Sequence, residues 1–275
     1  MSKQTKTKLA ALLFLAALPA INAFGGIFVI TDDAAPAGTG DLEVTLNWEA
    51  SATTDHRHCL SIAPAVEFAY GATETLEIAA SLDFGHEYMS TRYARKIAES
   101  RTHDFNFTGI SVALKNMILD PENQELPFGL SLTGGFSWAF AGADQSSARD
   151  ITFELGLIFQ KNLLNNDLVL AFTPVVAFSS AKGDPADGST DSTFDSTEYS
   201  LAAGASYHVG NGFRVGFEGV YSIVYAADGF DDDQFYAGPN CCYEAENWWL
   251  TVTVAPRLFT SADDILIAGQ FGYVF

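Results

Sequence analysis

Apolar and polar residues alternate along most of this chain. Leu42, Val44, Leu46 and Trp48 take turns with Glu43, Thr45, Asn47 and Glu49. Leu60, Ile62, Val66, Phe68 and Tyr70 do the same with Ser61, Ala63, Ala65, Glu67 and Ala69, and Leu76, Ile78, Ala80, Leu82 and Phe84 with Glu77, Ala79, Ser81 and Asp83. Neighbouring side chains of a strand point to opposite faces, so a period of two predicts strands with one apolar face and one small or polar face. The pattern recurs in 128–140, 151–159, 168–178, 199–209, 213–225, 248–258 and 265–275, and more weakly in 108–115, where Ile110, Val112 and Leu114 share a phase.

These segments run for about nine to thirteen residues, the reach a tilted strand needs to cross a bilayer, whereas strands of soluble sheets average nearer six. The connections alternate as well. Gly71-Ala72-Thr73-Glu74, Asn165-Asn166-Asp167 and Gly210-Asn211-Gly212 are short turns; 86–104, 141–149, 180–197 and 226–246 are longer and polar. Short periplasmic turns and longer outer loops are the asymmetry of outer-membrane barrels. Trp48, Tyr70, Phe84, Trp138, Tyr225 and Trp248 sit near strand ends, where interfacial aromatic girdles lie. The final segment carries Phe271, Tyr273 and Phe275, the aromatic terminal strand through which barrel-assembly machinery is the expected partner. The predicted fold is all-β: a single transmembrane antiparallel up-and-down β-barrel over 41–275. Eleven strands can be counted and an even number is required. Twelve are therefore expected, the missing one in 24–31, 86–104 or 226–246, with ten the alternative.

The first residues read as an address. Lys3, Lys6 and Lys8 precede an uncharged apolar run from Leu9 to Leu18, Pro19 breaks it, and Ile21-Asn22-Ala23 offers a cleavage site. The run is too short to span a membrane, so 1–23 is predicted to be a cleaved signal peptide. Segment 24–40 is rich in Gly, Ala and Pro and carries Asp32 and Asp33. It is either a periplasmic tail or a plug that enters the lumen, its aspartates meeting Arg214 or Arg257. With 34 acidic against 14 basic residues the formal charge is −20, and the leader takes three lysines with it. No basic patch could neutralise phosphates, which excludes nucleic acid as a partner. The expected location is the outer membrane of a Gram-negative-type cell, among lipid and lipopolysaccharide.

On the polar phases stand Glu43, Glu67, Glu77, Asp83, Glu154 and Glu218, with Lys115, Arg214 and Arg257 against them. They predict either an acidic, passable lumen or one packed shut by its own side chains. Three cysteines, Cys59, Cys241 and Cys242, fit an oxidising compartment; a disulfide from Cys59 to one of the pair is expected between outer loops, with a bridge between the adjacent Cys241 and Cys242 the alternative. The alternative for Asp55-His56-Arg57-His58-Cys59 is a metal site, but its spacing matches no closed motif, and no metal or cofactor is predicted. The runs Asp184-Pro185-Ala186-Asp187-Gly188 and Asp231-Asp232-Asp233 match no full calcium loop and read as solvated. His86, His103 and His208 have no serine beside them in a nucleophile motif, so no enzyme is predicted.

Two stretches carry a family likeness. Thr31-Asp32-Asp33-Ala34, then Gly38-Thr39-Gly40 and Leu42-Glu43, together with Tyr70-Gly71-Ala72-Thr73-Glu74-Thr75-Leu76-Glu77, resemble the phenol-degradation (MetA pathway) outer-membrane transporter family. Lys115 is similar to a lysine that recurs there. The resemblance implies a signal-bearing barrel that passes small aromatic or hydrophobic compounds. The expected function is thus passive, porin-like transport of small molecules. The alternative is a closed structural or surface-interaction barrel whose acidic outer loops bind cations.

Overall fold

The computed structural model describes residues 27–53, 57–91, 104–122, 128–140, 149–182, 196–226, 229–258 and 264–275. Residues 1–23, expected from the sequence to be a signal peptide, lie outside them, as do Asp55, His56, His103, the run from Asp184 to Gly188 and the side chains of His58, Cys59 and His86.

Twelve antiparallel strands close on themselves: β1 (Leu42–Thr53), β2 (Arg57–Gly71), β3 (Leu76–Thr91), β4 (Asp104–Leu119), β5 (Gly129–Phe140), β6 (Arg149–Leu163), β7 (Leu168–Lys182), β8 (Ser196–Gly210), β9 (Phe213–Ala226), β10 (Gly229–Glu244), β11 (Trp248–Pro256) and β12 (Asp264–Val274). Each pairs with its neighbours in sequence, and β1 pairs with β12 from Glu43↔Val274 to Thr53↔Asp264, so no edge is left open. The strand missing from the alternation is β10. It occupies most of 226–246, which is therefore not a long loop.

The apolar phases form the outside. Leu132 is 45% exposed, Leu155 56% and Phe217 55%, as expected of side chains meant for hydrocarbon rather than a protein core. Aromatic contacts gather at both rims. Phe84, Phe107, Phe140 and Trp138 form one series towards the long-loop end, and Phe213, Tyr243, Trp248 and Phe271 another at the short-turn end. The short turns follow their chemistry: Asn211 and Gly212 both have positive φ (54° and 77°), the two-residue hairpin geometry that Asn-Gly favours.

The inner phases are small or hydroxylic, with Ala69, Ala79, Ser131, Ala171, Ser206, Thr251 and Thr253 all buried. Small residues leave space in a barrel of this size, and residues 27–40 use it. At Gly40 (φ +87°) the chain turns from this segment towards β1, and Gly40 and Asp41 are tied to Gly71 by main-chain hydrogen bonds. Gly71 has no room for a Cβ against the carbonyls of Ala37 and Gly38. The segment therefore lies inward at the point where it leaves β1.

The topology corrects the cysteine expectation. Cys59 pairs with Thr53 at the long-loop end, while Cys241 and Cys242 pair with Val215 and Arg214 near the short-turn end. Neither Cys241 nor Cys242 is in a disulfide. A bridge from Cys59 would have to run the length of the barrel, far beyond the few ångströms a disulfide spans.

Candidate functional site: a lumen crossed by the N-terminal segment

Residues 27–40 run across the inside of the barrel and are held at successive points on its wall. Phe28 is buried against Val169 and Ala171 of β7. Next, the N–H groups of Val29, Ile30 and Thr31 converge on the Glu218 carboxylate of β9, at 3.2, 2.9 and 3.0 Å. Asn240 donates to the same carboxylate at 3.2 Å, and the Thr253 hydroxyl donates as well. Glu218 is fully buried, and these five donors take the place of a counter-cation around it. A carboxylate so surrounded is an anion held by dipoles, which a buried charge requires.

Further along, Ala34 donates to Gln160 (2.7 Å) and accepts from the Ser131 hydroxyl (2.5 Å). Ala37 donates to Glu77 at 2.6 Å. Lys115 of β4 lies 3.2 Å from Asp32, 3.9 Å from Asp33 and 3.8 Å from Glu77. Burial pushes the Asp33 carboxyl up to about 7; Lys115 opposes the rise, and Asp32, Glu77 and Glu244 add to it.

The aspartates thus meet Lys115, not Arg214 or Arg257. Arg214 faces inward at the short-turn rim, donating to Glu244 (3.2 Å) and the Asn166 carbonyl (3.1 Å). Arg257 follows β11 at the opposite rim and donates to the Asp233 carbonyl (2.9 Å). Asp83 accepts from Ser81 on the inner wall of β3. Glu43, Glu67, Glu77, Glu154 and Lys115 come together around one cavity of ≈ 420 Å³. A second cavity, ≈ 400 Å³, lies at the short-turn end beside Glu74, Asp120, Asn166 and Arg214. Asp33, Ala35, Pro36 and Ala37 line both, so the segment stands as a septum between an acidic chamber and a short-turn vestibule.

Alternation in the sequence finds the charged lumen residues but misses Gln160, Ser131, Asn240, Thr253 and Trp249. Ser131, Gln160, Trp249 and Thr253 lie on inward phases that the alternation carries, whereas Asn240 lies on β10, where the alternation breaks. Which of them meets the segment depends on where it crosses, and the period does not carry that.

Similar folds exist among solved structures. The chain is similar to the COG4313 outer membrane channel from Pseudomonas putida F1 (TM-score 0.65, 9% identity, 88% of this chain and 98% of that one). It is also similar to the transport unit of the autotransporter AIDA-I from Escherichia coli (TM-score 0.51, 12% identity, 98% and 95%). At these identities the likeness is one of fold: this is an outer-membrane-type β-barrel. No curated protein matches the sequence. Residues 22–264 match the family described as "Family of unknown function (DUF6662)", and the chain belongs to that family.

Proposed function

We propose that this protein is an outer-membrane channel for small molecules whose lumen is stoppered by its own N-terminal segment. The observation that carries the reading is how that segment is held. Apart from one bridge between Thr39 and Gly71 it adds no strand to the wall, and side-chain contacts anchor it across a lumen with a cavity on either side. A lumen filled for stability alone would be packed by wall side chains. The resemblance to the phenol-degradation transporters supports small aromatic or hydrophobic compounds as cargo, although such a compound would cross a chamber lined largely by carboxyl, hydroxyl and amide groups.

Conductance in planar bilayers tests the reading. The intact protein should conduct little or intermittently, and a variant lacking 27–37 should conduct steadily. A plugless barrel that folds, resists denaturation by SDS until heated, and still passes neither ions nor solutes would favour the closed structural barrel instead.

A further inference from the structure

The chamber above the septum is walled by six carboxyl groups (Asp32, Asp33, Glu43, Glu67, Glu77 and Glu154) and one ammonium, Lys115. Lys115 is in ion-pair range of Asp32, Asp33 and Glu77. That leaves Glu43, Glu67 and Glu154 with no cation in that range among the described residues. Glu43 accepts from the Thr45 hydroxyl, at 3.3 Å.

Three buried side chains bring further unmet polar atoms to the same chamber. Among the described residues Thr31 Oγ1, Thr173 Oγ1 and Trp249 Nε1 have no hydrogen-bond partner, on side chains of residues only 2%, 7% and 2% exposed. An unmet buried polar group is destabilising, and gathered carboxylates repel one another. An occupant with positive charge, a group to accept from the indole N–H and a partner for the hydroxyls would relieve both costs. The carboxyls are spread out: Glu43 and Glu67 are on β1 and β2, Glu154 on β6. Among the described residues no three His, Cys, Asp or Glu side chains gather closely enough to hold a metal ion. That spacing suits an occupant of several atoms, and ≈ 420 Å³ is the size of an ordinary small-ligand site.

We propose that this chamber is a binding site for small organic ammonium ions that also carry a hydrogen-bonding group. The proposal deepens the channel reading and rests on it for the ligand's route to the chamber.

Calorimetry on the full chain folded in detergent at low ionic strength tests it, with 5-amino-1-pentanol as the probe. Its neutral match is 1,5-pentanediol, its anionic match 5-hydroxypentanoate, and calcium chloride the metal comparison. The amine should bind saturably and at least about tenfold more tightly than the diol. Glu43→Gln with Glu67→Gln should weaken it by roughly tenfold, and calcium should not displace it at equal concentration. If the double variant fails to fold, Glu154→Gln carries the same expectation. Equal binding of the diol, tighter binding of the hydroxy acid, displacement by calcium, or an affinity indifferent to the substitutions would each overturn the proposal. Because binding is read without flux, a barrel that takes the amine but never conducts overturns the channel reading alone. A conducting barrel without amine binding overturns the site alone.

Discussion

At Glu218 a buried carboxylate meets three main-chain N–H groups of the plug and two side chains of the wall. Hydrogen bonds to a charged group each contribute about 1.5–3 kcal/mol. Glu218→Gln keeps the shape, removes the charge and turns one acceptor into an NH₂ that faces donors. We expect it to loosen the plug by about 3 kcal/mol, seen as faster hydrogen exchange at Val29, Ile30 and Thr31 while wall amides keep their protection. Unchanged exchange at those three would show that Glu218 is not the anchor. Asp33 adds a pH dependence with a definite sign. Its carboxyl is pushed from the ordinary 3.8 up to about 7, so the docked segment holds that proton more tightly than a released one. Docking is then strongest below the ordinary value, weakens as pH climbs towards about 7, and changes no further above it. Asp33→Asn should flatten that part of the profile, and exchange at 27–34 followed against pH in both proteins is the measurement; parallel profiles would remove Asp33 from the account. On the outer face Leu132→Arg should cost about 2–4 kcal/mol of reversible unfolding free energy in lipid, and no change would mean that Leu132 does not face hydrocarbon. The facing of such residues can be read from alternation alone. Their partners cannot, because Lys115 and Asp32 stand 83 residues apart and no local pattern links them.

Among the elements, β10 shows where alternation stops being readable. Its register slips between Phe230 and Asp232, and such a bulge reverses the phase of every residue after it. Downstream, Asp233, Ala237, Pro239 and Cys241 share the outward phase with Phe235 and Tyr243, while Tyr236 turns inward. Proline and a run of aspartates inside a strand also imitate loop composition. The other strands have an unbroken apolar face over most of their length, and that face sets them. The plug is illegible for a different reason: a Gly-, Ala- and Pro-rich segment has no period, so composition fits a loose tail and a threaded segment equally well. The register of β10 has a chemical consequence. Cys241 lies on the outer phase and is exposed, whereas Cys242 faces inward and is buried. A lipophilic maleimide should modify Cys241 first and leave Cys242 largely unreacted, with peptide mass mapping as the readout. Faster reaction of Cys242 would mean that the two side chains face the other way round.

Over the whole molecule, charge is the dominant asymmetry, with 34 acidic residues against 14 basic. Inside the barrel the carboxyls share a narrow low-dielectric space, which focuses their field. With the plug removed, the pore should prefer cations in a salt gradient, and reversal potentials should shrink towards zero as ionic strength rises and the screening length falls below about 10 Å. An anion-selective pore would mean that Glu43, Glu67 and Glu154 do not line the path. The Glu218 anchor also constrains the order of assembly. Its three main-chain donors come before β1 and the carboxylate stands on β9, 187 to 189 residues away in sequence. Contacts that distant form late, after the hairpins between them have closed. The β1–β12 seam, where Glu43 pairs with Val274, is more distant still, so closing the tube and docking the plug are both late steps that follow the hairpins of the wall. Refolding into dye-loaded vesicles separates the two orders: a leak that seals as protection reaches Val29 means that the tube closes before it is stoppered, and a release-free refolding means that the segment is enclosed as the seam forms.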